Sequence, residues 1–192
     1  MRLLRLFIAV NFDAVTKSRL LAMQEKIKKQ AVRGSFTKPE NLHLTLVFMG
    51  ETAASLVPEI TAVIKNALTA EPTPNAFSVD FTRTGCFRHG GRELWWIGAD
   101  GDADGLRVLT ELRRRIACGL ETAGIPFDKK AFKAHITLGR EIQASIPVIL
   151  PEEKVNIPVT RVSLMESARF KGVLTYTEVA GVDCIREIQQ KK

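Results

Sequence analysis

Two of the chain's three histidines open the same four-residue phrase, "HLTL" at His43–Leu46 and "HITL" at His135–Leu138. In an extended strand, residues i and i+2 project to one face. His43 and Thr45 therefore point together, and Leu44 and Leu46 point the other way. The same holds for His135 and Thr137 against Ile136 and Leu138. Each phrase is an amphipathic strand whose polar face carries one imidazole and one hydroxyl. Two such faces across a cleft would bring together two groups that titrate near neutrality and two hydrogen-bond donors. That set suits hydrolysis of a phosphodiester. One imidazole deprotonates water, the other protonates the departing oxygen, and the hydroxyls donate to the non-bridging oxygens as charge builds there.

Other chemistries fit less well. A short phrase with one histidine is more often an ordinary half-buried strand, but two matched phrases at equivalent places are not. A zinc site could use His43 and His135, with Asp128 or Glu141 as a third ligand, although neither stands at a recognised spacing. The three cysteines, Cys86, Cys118 and Cys184, form no C-x-x-C pair. Their odd, sparse count points to a reducing compartment, the cytoplasm. No G-x-S-x-G phrase is present for a serine hydrolase. No metal and no cofactor is expected.

The composition sets the outer bounds. The 192 residues are 45% hydrophobic and 26% charged, the balance of a globular domain rather than a disordered chain. The opening "MRLLRLFIAVNF" reads as a first strand, not a signal peptide. No stretch reaches the roughly 18 apolar residues of a membrane span. The formal net charge of +7 favours anionic partners such as nucleic acid, nucleotides or phosphorylated metabolites.

The elements that must carry the two phrases repeat in order. Residues 3–12 read as a buried strand and 14–31 as a helix with Leu20, Met23, Ile27 and Ala31 on one face. The strand 43–49 ends at Gly50. A helix over 53–69 follows, with Thr52 as its N-cap. "AFSVDFTRTG" alternates as one strand, "FRHGGRE" is a turn, and "ELWWIGA" is another strand. Residues 104–122 form a helix stopped by Gly124 and Pro126. "AHITLGR" is the second motif strand. Residues 141–150 are undecided. "KVNIPVTRVSLMES" and "VLTYTEVA" form two late strands around Lys171-Gly172, and "REIQQKK" is a solvated tail. Strand, helix and motif strand thus occur twice. The expected fold is α+β, one domain over 1–192 with two pseudo-twofold lobes near 1–90 and 91–192, strand exchange between them being possible. Each lobe is expected to be an antiparallel sheet with helices on its outer face, and the site to lie in the central cleft.

At these residues the chain resembles the 2H phosphoesterase superfamily, and within it the RNA 2′,3′-cyclic phosphodiesterase family, also called 2′-5′ RNA ligase-like. "LRLFIAVNF", "LHLTLVFMGE", "ELWWIGAD", "AHITLGR" and "SARFKGVLTYTEV" carry the resemblance, which spans nearly the whole chain. It implies hydrolysis of RNA 2′,3′-cyclic phosphate ends to 2′-phosphomonoesters. It makes His43 the proton donor and His135 the proton acceptor, with Thr45 and Thr137 on the phosphate. Nothing in the two near-symmetric phrases assigns those roles. Arg140, directly after the second phrase, is a candidate phosphate contact. Phe132 could stack a base, although packing in the core suits it better. His89 in "RHGGR" reads as solvated, with Arg88 and Arg92 able to meet an RNA backbone. The expected partner is RNA with a cyclic phosphate end, or a small cyclic nucleotide, acted on by a monomer. Joining a cyclic phosphate to a 5′-hydroxyl, and non-catalytic RNA binding, are the alternative readings.

Overall fold

The computed structural model describes residues 2–71, 76–90, 92–144 and 154–184. Residues 72–75, Gly91 in the expected turn, most of the undecided stretch 141–150, the tail from 186 and the side chain of His89 lie outside them. The first motif strand is built on the apolar run β1 (Leu3–Asn11), in which Leu6, Ile8 and Ala9 are fully buried. Asp13 caps the helix α1 (Ala14–Lys28) by accepting the Thr16 amide at 2.7 Å, and Lys26 and Lys28 complement its C-terminal end. Leu20, Met23 and Ile27 bury its stripe. The helix closes at Lys29, earlier than the periodicity suggests, because Arg33–Phe36 leave it to form a short strand β2. A 3-10 turn at Pro39–Asn41 then feeds β3 (His43–Ala53). Thr52 belongs to that strand and does not cap α2 (Val57–Thr69). Its hydroxyl donates to the Gly50 carbonyl at 3.1 Å, and Pro58 stands in the helix's first turn instead.

Two long alternating segments each prove to be two strands. β4 (Phe77–Phe81) breaks from β5 (Arg83–His89) at Thr82, and β8 (Val155–Val159) breaks from β9 (Arg161–Phe170) at Thr160. The period-two pattern runs through both breaks, since the strands continue but change partners. β4 and β8 pair with each other as a small separate sheet, while β5 pairs with β6 (Arg92–Gly98) and β9 with β10 (Val173–Asp183). The α3 helix (Asp104–Thr122) buries Leu109, Leu112, Ile116 and Leu120 and packs on α2. Its Gly105 lies so close to the Ser78 carbonyl that any Cβ would collide with it. The second motif strand is β7 (His135–Gln143).

The architecture is α+β with two four-stranded antiparallel sheets, ordered β10-β9-β1-β3 and β2-β7-β6-β5. Each motif strand pairs antiparallel with the strand that opens its own repeat. Asn11 lies opposite His43 and Ala9 opposite Thr45, while Gly98 lies opposite His135 and Trp96 opposite Thr137. The sheets also borrow across the chain: β2 flanks β7, and β9 flanks β1 with β10 outside it. Leu44, Leu46, Ile136 and Leu138 go into one continuous core. β3 and β7 make contact where the two sheets meet, so their polar faces share one cleft. No helix among the described residues is long and apolar enough to cross a membrane.

Candidate active site

The cleft has a volume of about 1230 Å³, and His43, Thr45, His135, Thr137 and Arg140 all line it. Both motif histidines are held in the same way. The ring Nδ1 of His43 lies 2.7 Å from the Asn41 carbonyl, and that of His135 lies 2.8 Å from the Lys133 carbonyl. A carbonyl only accepts, so each Nδ1 carries the proton in these bonds. Each Nε2 is thereby the atom free to gain or lose one. The Nε2 of His43 lies 2.8 Å from the Thr45 hydroxyl, the contact that i and i+2 on one strand face permit.

His43 is half-buried in an aromatic wall. Its ring centroid is 4.9 Å from that of Phe7 and 5.1 Å, edge-on at 90°, from that of Tyr176. Loss of hydration there lowers its basicity below that of an ordinary histidine. The bond to the Asn41 carbonyl opposes this, and the charges of Arg140 and His135 add to the lowering. That both charges reach His43 places Arg140 and the second histidine in its electrostatic neighbourhood. Arg140 is exposed at the cleft wall. Arg5, Lys38 and Arg169 add positive charge to the lining, and Glu51, Glu141 and Glu166 add negative charge.

The residues that orient the site carry no signal in the sequence. Asn41 and Lys133 act on the histidines through backbone carbonyls, which every residue has. Buried Gln24 of α1 donates to the carbonyls of Thr37 (2.8 Å) and Leu138 (2.6 Å), and the Thr37 hydroxyl donates to the Thr137 carbonyl at 2.9 Å. The first half of the chain thus braces the second motif strand. Phe132 packs against the core with the Arg113 guanidinium 5.8 Å from its ring centroid. Asp128 bonds to Lys130, and Glu141 pairs with Arg92 at 3.0 Å. Among the described residues, no three His, Cys, Asp or Glu side chains converge on one point.

Paired H-x-T-x strands facing one cleft, on a two-lobed α+β frame, define the 2H phosphoesterase class. Residues 22–170 match the model of the 2′-5′ RNA ligase superfamily, and the chain belongs to that family. It is 33% identical over 139 residues to a protein of Archaeoglobus fulgidus named RNA 2′,3′-cyclic phosphodiesterase, covering 71% of this chain and 72% of that one. A Thermus thermophilus protein of the same name is 34% identical over 152 residues, covering 77% and 73%. The solved structure of TT0787 from Thermus thermophilus superposes with a TM-score of 0.75 at 28% identity, over 95% of this chain and 99% of that one.

Proposed function

We propose that the protein hydrolyses RNA 2′,3′-cyclic phosphate ends to 2′-phosphomonoesters by metal-independent acid–base catalysis between two histidines. The observation that carries this reading is the pinning of both Nδ1 atoms to carbonyls, which leaves two Nε2 atoms in one cleft as the exchangeable sites. The names of the relatives from Archaeoglobus and Thermus support the substrate class. His135 Nε2 takes a proton from water as the water oxygen bonds to phosphorus. The bond from phosphorus to the 3′ oxygen breaks, and His43 Nε2–H gives that oxygen its proton. The ester to the 2′ oxygen survives. Thr45, Thr137 and Arg140 donate to the non-bridging oxygens, where charge accumulates. The lowered basicity of His43 suits a donor, because a less basic ring releases its proton more readily to an alkoxide. The phosphate anion, once bound, offsets the Arg140 charge and helps to keep that proton in place.

The test is an oligoribonucleotide ending in a 2′,3′-cyclic phosphate, incubated with EDTA. The expected product is a 2′-phosphate. His43→Ala and His135→Ala should each lower kcat by about 10²–10⁴-fold, the worth of a positioned proton transfer. Unchanged turnover in both variants, or activity lost to EDTA and restored by zinc, overturns the mechanism.

A further inference from the structure

We propose that Phe87, backed by Trp96, is the shelf on which the base of the reacting nucleotide stacks. This rests on the reading of the cleft as a site for a nucleoside 2′,3′-cyclic phosphate end. Phe87 stands on β5 with 42% of its surface exposed. Its ring meets that of His135 edge-on, with centroids 5.9 Å apart and an interplanar angle of 87°. It lies 5.4 Å from the Trp96 ring, at a 35° tilt. The register places Trp96 opposite Thr137 on one side and Gly85 on the other, so the indole shares the polar face of the second motif strand. Glycines make room for that ring. A Cβ at Gly85 would come within 2.5 Å of the indole and one at Gly98 within 2.8 Å, so the ring spreads between them as a floor under Phe87.

The other aromatic rings near the cleft are already engaged. The Arg5 guanidinium lies 4.9 Å from the Phe48 centroid, and the Lys28 ammonium 5.2 Å from that of Phe36. Phe7 and Tyr176 pack on His43. Phe170 sits at the outer turn of β9 and β10 beside Lys171. Phe87 combines exposure with contact to a motif histidine. The geometry of the ligand points the same way. In a nucleoside 2′,3′-cyclic phosphate, the base and the phosphate hang on adjacent carbons of one ribose. A base stacked on Phe87 would therefore sit on the His135 side of the site, beside a phosphate whose attacking water His135 Nε2 reaches. Stacking of a base on an aromatic ring needs no hydrogen-bond match and favours the larger purine face.

The experiment compares kcat/KM for adenosine 2′,3′-cyclic phosphate with that for methyl riboside 2′,3′-cyclic phosphate, which has no base. The wild type should prefer the nucleotide by about tenfold. Phe87→Leu keeps an apolar contact with Trp96 and His135 but has no π face. It should bring the preference to within about twofold of unity while turnover of the base-free compound holds. Phe87→Tyr should retain the preference. A parallel loss on both substrates in Phe87→Leu would show that Phe87 only props His135, and a preference that survives Phe87→Leu overturns the shelf alone. Turnover of neither substrate by the wild type overturns the reading of the site, and the shelf with it.

Discussion

His43 shows how one imidazole is tuned by its neighbours. Its wall of Phe7 and Tyr176 strips water from the ring, and Arg140 and His135 oppose a positive charge there, so its basicity falls below the usual value near 6.5. The sign of the pH dependence follows. A donor must enter the cycle protonated, and in the free protein His43 loses its proton below pH 6.5. The protonated ring of His43 should therefore be lost on the acid side of 6.5 in the free protein, which an NMR titration of that ring reads directly. A His43 ring that titrates above 6.5 in the free protein would overturn the lowered basicity. Replacing Arg140 with Ala deletes one of the charges that lower His43. An NMR titration of the His43 ring should then move to higher pH, while KM for the cyclic phosphate rises by about tenfold as a charge-assisted contact is lost. A His43 titration unmoved by that change would separate the two residues electrostatically.

At the scale of the element, Asn41 joins two strands that the sequence keeps far apart. Its side chain, only 5% exposed, donates to the Leu174 carbonyl at 2.9 Å and accepts the Tyr176 amide at 3.2 Å. Its carbonyl receives the His43 Nδ1–H. The 3-10 turn Pro39–Asn41 is thus stitched to β10, and the Tyr176 ring is held edge-on to the histidine. Asn41→Ala leaves two backbone groups of β10 without these partners, which costs about 2 kcal/mol and lowers Tm by about 4–8 °C. It should also reduce kcat by about tenfold at nearly constant KM, and it should broaden the His43 Nδ1 proton signal. A Tm loss with kcat intact would make Asn41 purely structural. The motif strands themselves were legible, because a polar residue at every second position between leucines and isoleucines has one physical solution. β2 was not, since "RGSF" is four residues long, largely exposed, and recruited by β7 rather than by its own pattern. The changes of partner at Thr82 and Thr160 were equally hidden, because a strand keeps its alternation whichever neighbour it pairs with.

The whole molecule is tied together by its exchanged strands. The sheet that carries His43 is completed by β9 and β10 from the end of the chain, and the sheet that carries His135 by β2 from the beginning. Gln24 adds a buried bond from α1 to the second motif strand. The repeat in the sequence reveals two similar units but not this lacing, which depends on long-range pairing between segments of unrelated composition. Release of the first part of the chain takes β1 and β3 from one sheet and β2 from the other, and release of the last strands takes β9 and β10 from the first, so the two sheets should melt as one cooperative unit. The chain supplies separate probes. Trp95 and Trp96 both lie on β6 and report the second sheet, whereas His43 and the sole tyrosine, Tyr176, report the first. In a urea titration, the tryptophan emission and the His43 ring resonance should give the same midpoint and the same m value. Curves that separate by more than their fitting error would show that each sheet holds without the other. The cleft would then lie between two independently stable bodies, and the placing of the two histidines would depend on how those bodies dock.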